Sequence, residues 1–536
     1  MSGAAGFASR GLVQVMLFGV TIVATRVLSV AEFGAYALGS LLLVVARQLF
    51  YVGPYEYLLK MPARAGLAGA CLAANLVQSV VLAAALVPVW LAARLFLAEP
   101  MVGTILGLLI PSLFPVALAA WYEAILLRTV RVRRYYATTL AGDTAGALVA
   151  VILLLRGWSV AALVAQAYVR HLVLIVLYAA ATAQRPTLSG RGETGAVLRW
   201  SRARYLAIAL TFTSTYGGDF VLGISLSPAA TGLFRAASRI VTALTDLFSQ
   251  PLQKIAQTNL SAAHARGQDT GTRWLTMLSG VGALAWAGLV TLAFTARDLV
   301  PFALGEKWVA AVPVVVVFCV ARGFSLLDAV TTAVLVCHDR QRAMLKVQGL
   351  TAVAVIALAL ATAPLGATAV AVAVGLATTA MSLTYWVMVV RLSRADGEAL
   401  LGLVRTAAPP VGAVAGVLAL LAWAVPQHHG SGAILLRLVA AAGAFGLALF
   451  AVRHRMLAAI GSLGHLPPAG PPGGLGPAGA AEMNSACPPA GPGPGAPGAT
   501  GATGAAGAAG AAGAAARPDQ RPALRSLEQP APGSPG

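Results

Sequence analysis

Charge is what this sequence has least of. Asp, Glu, Lys and Arg make up 10% of its 536 residues, 58% are hydrophobic, and the mean hydropathy is +0.81. A soluble domain carries about a quarter charged residues, so this chain cannot wet a surface of its own size. Its apolar runs must face lipid or one another. Cysteine is scarce as well: Cys71, Cys319, Cys337 and Cys487 lack the paired spacing of a disulfide framework or a zinc site. No G-x-x-x-x-G-K-[ST] phosphate loop occurs, which excludes ATP hydrolysis by that route. The formal net charge of +19 does not point to nucleic acid, because the basic residues sit in short clusters between apolar runs and no soluble domain offers a basic face. No cofactor or metal is implied.

What the sequence has instead is apolar length. The first run, Gly11 to Val30, is too long for the core of a cleaved signal peptide and reads as a retained membrane helix. A template of about 20 apolar residues per crossing places spans near 8–29, 34–57, 66–93, 102–127, 136–155 and 158–182. Eight more follow near 204–226, 231–256, 273–296, 309–336, 344–364, 367–391, 405–425 and 433–452. The expected fold is therefore an all-α polytopic membrane protein of about 14 helices. Loop charges check that count. With both termini cytoplasmic, 23 Lys and Arg residues fall on inside segments and 6 (Arg26, Arg94, Arg156, Arg297, Lys307 and Arg437) on outside ones, the asymmetry the positive-inside rule requires. A single missed helix would scramble it. Residues 461–536 are Pro, Gly and Ala with almost no large apolar side chains, and are expected to be a disordered cytoplasmic tail.

Residues 1–391 read as one unit built twice. Ser29-Val-Ala-Glu-Phe-Gly34-Ala-Tyr36, ahead of the second span, parallels Ser227-Pro-Ala-Ala-Thr-Gly232-Leu-Phe234, ahead of the eighth. Leu126-Leu127-Arg128 through Arg133 parallels Leu335-Val336-Cys337 through Arg342. The domain expectation is a six-helix bundle over 1–182, a cytoplasmic connector over 183–203, a second bundle over 204–391, two additional helices over 392–460, and the tail over 461–536. Six spans per repeat make the halves parallel, and carriers of that build bind substrate between them.

The same segments carry a resemblance. Arg26, then Glu32-Phe33-Gly34-Ala-Tyr36, resembles the first loop of polysaccharide exporters and O-antigen flippases. Gly217-Gly218-Asp219 followed by Thr231-Gly232-Leu-Phe234-Arg235-Ala236-Ala237 is similar to their seventh and eighth helices. Phe302-Ala-Leu-Gly305-Glu-Lys-Trp308 is similar to the turn before their tenth. These families belong to the multidrug/oligosaccharidyl-lipid/polysaccharide exporter superfamily. The resemblance implies two six-helix bundles around a central cavity, with two further helices after the twelfth. It also implies movement of a lipid-linked saccharide of the polyprenyl-pyrophosphate type to the outer leaflet of the cytoplasmic (inner) membrane, with other polysaccharide assembly proteins as candidate partners.

Charged residues well inside a span are costly and usually face a cavity or a partner. Here they are Arg47, Arg170, Arg235, Arg239, Arg322, Asp143, Asp219, Asp246 and Asp328. Arginine suits an anionic phosphate because its planar fork donates two parallel hydrogen bonds and stays protonated. The five arginines are thus the candidate substrate-binding set, with Arg47, Arg170 and Arg322 expected near mid-membrane. Arg235 and Arg239 share a helix face. Asp219 should lie at the depth of Arg235, either as a structural ion pair or as a cavity group. Asp143, Asp246 and Asp328 read as ion-coupling or helix-packing residues, and Glu56 and Glu123 as solvated groups near the inner interface. Two alternatives stand beside the exporter reading. A drug or cation antiporter of the same superfamily would favour acidic cavity residues. A glycan polymerase or ligase needs sizeable external loops; those here are short, and the external pair His428 and His429 looks like a loop end, so the chain is not expected to be an enzyme.

Overall fold

The structure, a computed structural model, describes residues 2–96, 100–129, 132–393, 397–424 and 431–464. Most of the tail and the His428–His429 pair lie outside these. In hydrocarbon every backbone N–H and C=O must find its partner within the segment, and the described chain answers with helices throughout. They are α1 (Ser2–Val27), α2 (Val30–Val52), α3 (Pro54–Lys60), α4 (Leu67–Phe96), α5 (Pro100–Leu109), α6 (Leu113–Arg128), α7 (Val132–Leu155), α8 (Val160–Thr182), α9 (Thr194–Ser225), α10 (Pro228–Ala265), α11 (Thr270–Leu304), α12 (Val312–Ser325), α13 (Asp328–Cys337), α14 (Gln341–Thr362), α15 (Ala367–Ser393), α16 (Gly397–Ala424) and α17 (Ser431–Gly464). Three expected spans are broken rods. Gly53-Pro54 interrupts α2–α3, a 3-10 turn with Pro111 joins α5 to α6, and Leu326-Leu327 separates α12 from α13. Counting each broken pair once leaves fourteen rods among the described residues, one for each expected span.

Eleven of the rods are long and apolar enough to cross a membrane. The other three are α1, whose described apolar part is Gly11–Val27, and the long α9 and α10. These last two fall short through polarity, since Asp219, Arg235, Arg239 and Asp246 lie on them. The helix α9 also begins earlier than the sequence suggests, at Thr194 inside the polar stretch 183–203. Val197 and Ser201, one turn apart, are fully buried there and hold that basic segment against the first half.

The packing is duplicated. The fifth rod (α7) lies against the first and sixth (α1, α8), and the eleventh (α14) against the seventh and twelfth (α9, α15). Likewise α6 packs on α8 as α12 packs on α15, and α4 on α5–α6 as α11 on α12. The duplicated sequence motifs fold alike. Ser29 caps α2 in a reciprocal capping box with Glu32, and Ser227 caps α10 through the Ala230 amide. Gly34 and Gly232 then meet each other: a Cβ on Gly34 would stand 1.7 Å from the Pro228 carbonyl oxygen, and one on Gly232 2.4 Å from that of Val30. Only glycines allow α2 and α10 to cross this closely.

Loops sort to two ends. At the basic end, Arg128 donates to the Leu58 and Met61 carbonyls, Gly66 packs on Gly190, Arg204 pairs with Glu56, and His264 stacks on His338. At the opposite end, Ser159 donates to Glu32 and Lys307 to the Leu28 carbonyl. The apolar core shows how the halves sit. One large cluster joins both at the opposite end, from Ala24, Leu28 and Phe33 to Val300, Trp308 and Phe318. Toward the basic end the core divides into two separate clusters. One belongs to the first half (Leu58, Trp121, Leu126, Tyr178) and one to the second (Leu260, Trp274, Leu335, Tyr385). The halves thus share one apolar core at the opposite end, while at the basic end their cores are distinct and the start of α9 joins them through Arg204–Glu56 and Tyr57–Trp200. The last two helices pack on α11 through Ala287, Val414, Leu418 and Ala441, and an Arg437–Asp298 ion pair ties α17 to it.

Candidate functional site between the halves

Nearly all the intramembrane charges gather in two groups, one on each side of the division between the halves. In the second half, Asp219 on α9 is 1% exposed and takes Arg235 of α10 at 3.5 Å. The Arg235 guanidinium also lies 4.7 Å from the centre of the Tyr216 ring. One turn further, Arg239 is exposed. Its electrostatic neighbours are Arg235, Tyr36, Tyr216 and Asp219, so it reaches across to α2 of the first half. Arg322, on the last turn of α12, is within electrostatic reach of Asp246, Tyr216, Arg235 and Asp219. Five of the nine predicted residues therefore form one network.

In the first half, Arg170 on α8 forms an ion pair with Asp143 on α7, with their side chains 17% and 4% exposed. His171 follows, its Nδ1 2.6 Å from the Ala167 carbonyl. Arg47 on α2 is exposed and rests 5.5 Å from the centre of the Tyr51 ring. Asp328 is separate: its Oδ2 accepts from Ser382 at 2.7 Å, and its Oδ1 is buried without a hydrogen-bond partner.

Pairing sorts the five arginines. Arg170 and Arg235 are held by buried carboxylates. Arg47, Arg239 and Arg322 make no ion pair among the described residues. A buried pair with good geometry roughly balances its own desolvation, so the first two are explained by packing. The other three make no side-chain hydrogen bond among the described residues either.

Glu123 corrects the sequence reading. Expected to be solvated, it is 7% exposed on α6, accepting from Tyr51 at 2.5 Å and Tyr55 at 3.3 Å, with Tyr135, Arg47 and Arg170 close by. The available signal was the i, i+4 spacing of Tyr51 and Tyr55, two hydroxyls on one face with no partner of their own. Glu56, by contrast, is half-exposed, paired with Lys60 at 3.2 Å and Arg204 at 3.3 Å.

A polytopic helical protein with a duplicated packing pattern and intramembrane charges in both halves has the build of a membrane carrier. Residues 23–313, 291 of the 536, match the polysaccharide biosynthesis protein family, and the chain belongs to that family. No curated protein matches the sequence. Among solved structures, the fold is similar to "Lipid II flippase MurJ, inward closed conformation", with a TM-score of 0.66 at 10% identity over 84% of this chain and 99% of that one. It is also similar to the eukaryotic MATE transporter AtDTX14 (TM-score 0.46, 14% identity, 75% of this chain and 97% of that one). A third is an inward-facing multidrug resistance MATE family transporter of the MOP superfamily (0.49, 14%, 73% and 93%).

Proposed function

We propose that this protein moves the headgroup of a lipid-linked saccharide precursor across the cytoplasmic membrane by alternating access between residues 1–182 and 204–391. The observation that supports the reading is the trio Arg47, Arg239 and Arg322, intramembrane cations from both halves with no ion pair among the described residues, Arg239 lying near Tyr36 of the other half. A polyprenyl-pyrophosphate saccharide brings the matching chemistry. Its anionic diphosphate accepts paired hydrogen bonds from guanidinium groups, its glycan needs a wet passage, and its hydrocarbon tail can remain in lipid. Arg235 and Arg170 then frame the site, while Asp143 and Asp219 hold them in place through their ion pairs. The basic end faces the cytoplasm by the positive-inside rule, with both termini on that side, so the end where the two halves have distinct cores faces the compartment in which the precursor is made. Asp246, beside Arg322, and Asp328, an acid without a basic partner among the described residues, are the positions suited to coupling with a cation.

The test is translocation in proteoliposomes of a short-chain polyprenyl-pyrophosphate saccharide, read by an enzyme or quencher that reaches one leaflet only. The single variants Arg47→Ala, Arg239→Ala and Arg322→Ala should each lower the rate at least about tenfold, the equivalent of about 1.4 kcal/mol per lost phosphate contact, without loss of folded protein. Parental rates from all three would remove the assignment. Uptake of a cationic drug in exchange for protons, with no saccharide movement, would favour the antiporter instead.

A further inference from the structure

At the end away from the basic loops, two helices finish against each other's half with their last carbonyls unsatisfied by their own turns, as every helix C-terminus does. Each is capped by a cation from the opposite half. Arg26, at the end of α1, donates from Nε to the Ala303 carbonyl at 3.1 Å and from Nη2 to that of Phe302, both in the last turn of α11. Lys307, just past α11, donates back to the carbonyls of Arg26 at 3.0 Å and Leu28 at 2.5 Å. Beneath this exposed exchange, the Trp308 indole donates to the Thr25 carbonyl at 2.9 Å and packs edge-on against Phe33, ring centres 5.4 Å apart. Glu32 lies within electrostatic reach of Lys307 and is itself held by Ser159 at 2.6 Å.

We propose that Arg26 and Lys307 form a reciprocal latch that holds the outer end of the carrier shut and releases when that end opens. Cations at helix C-termini are favoured by the aligned peptide dipoles, so the latch strengthens the closed state. Both side chains are exposed, so on opening the cations and the carbonyls pass to water and no charge is stranded. That separates them from Trp308, which is fully buried and belongs to the apolar seam beneath. The sequence carries the latch in two places: the arginine ahead of Glu32-Phe33-Gly34, and the lysine of Gly305-Glu-Lys-Trp308. The inference rests on the alternating-access reading, but its test needs no substrate.

Spin labels on unnatural residues substituted for Leu155 and Leu365, both highly exposed at this end and one in each half, leave the native cysteines in place. Their separation would be measured by pulsed electron resonance on the full chain in nanodiscs. The parent should give one short distance. Arg26→Gln with Lys307→Met should add a longer component, with an outer-open fraction raised at least about tenfold for loss of several charged hydrogen bonds. Lys307→Arg, which keeps the donors, should retain the parental distribution, as should Arg297→Gln, which removes an exposed charge at the same end with no such bond among the described residues. A folded double variant with the parental distribution would overturn the latch. Should the double variant not fold, Lys307→Met alone decides by the same reading, and if neither folds these bonds are scaffolding and the proposal fails. Saccharide flipping plays no part in the measurement, so a failed latch would leave the cargo reading intact.

Discussion

Replacing Asp143 by alanine would leave the Arg170 guanidinium between α7 and α8 with its carboxylate gone and its side chain 17% exposed. Removing one partner of a buried pair typically costs about 3–5 kcal/mol, because the remaining charge is stranded, whereas replacing both with apolar groups is often near neutral. The pair therefore calls for a double-mutant cycle of Asp143→Ala, Arg170→Met and the two together, with unfolding in detergent followed by tryptophan fluorescence. Asp143→Ala should destabilise by about 3 kcal/mol or more. Adding Arg170→Met should recover most of that loss, a coupling of about 2 kcal/mol. Arg239→Met, which removes a cation with no ion-pair partner among the described residues, should change stability by no more than about 0.5 kcal/mol while lowering transport at least about tenfold. Additive effects at Asp143 and Arg170, within about 0.5 kcal/mol, would refute the division of the arginines into paired and unpaired. So would a large loss of stability at Arg239.

Two further predictions concern the frame. Gly34→Val places a side chain 1.7 Å from a backbone oxygen that cannot swing aside, so α2 and α10 must part; outer closure and saccharide translocation should both fail, while Gly34→Ser at this position should do no better, having the same Cβ. Spin-label separation at the outer end checks the first effect directly. Asp269 caps α11 through the Gly271 and Thr272 amides, 2.8 and 3.1 Å away, and the Thr272 hydroxyl. Partial burial raises its pKa, but these hydrogen bonds outweigh that and hold it below the ordinary 3.8. Its folded pKa being depressed, the cap contributes above pH 3.8 and is lost as pH falls through the folded value. Asp269→Ala should cost about 1 kcal/mol at neutral pH and markedly less in acid; equal cost at both would contradict the cap.

Periodicity and loop charge carried the architecture well. A rod stands at each expected span, and the duplicated Ser29…Gly34 and Ser227…Gly232 segments became matching caps and a glycine contact between the halves. The start of α9 was less legible, because the polar stretch before Arg204 conceals the buried Val197–Ser201 face. The charged residues could be read as buried, but not as paired. Asp143 and Arg170 are 27 residues apart and Arg26 and Lys307 are 281 apart, and which face of a helix meets which neighbour is decided by packing. The burial of Glu123 is hidden for that reason: its two hydroxyl partners lie 72 and 68 residues away on other helices. The outer latch was hidden differently, since its acceptors are main-chain carbonyls, which no side-chain pattern reveals.

The most direct test of the central claim is to deplete this protein in its host and determine on which leaflet the lipid-linked saccharide resides. The account predicts that a completed precursor builds up on the cytoplasmic leaflet while surface glycan falls, and that the Arg239→Ala protein fails to restore it. A precursor that still reaches the outer leaflet, with surface glycan cut to single repeat units, would contradict transport and point to polymerisation.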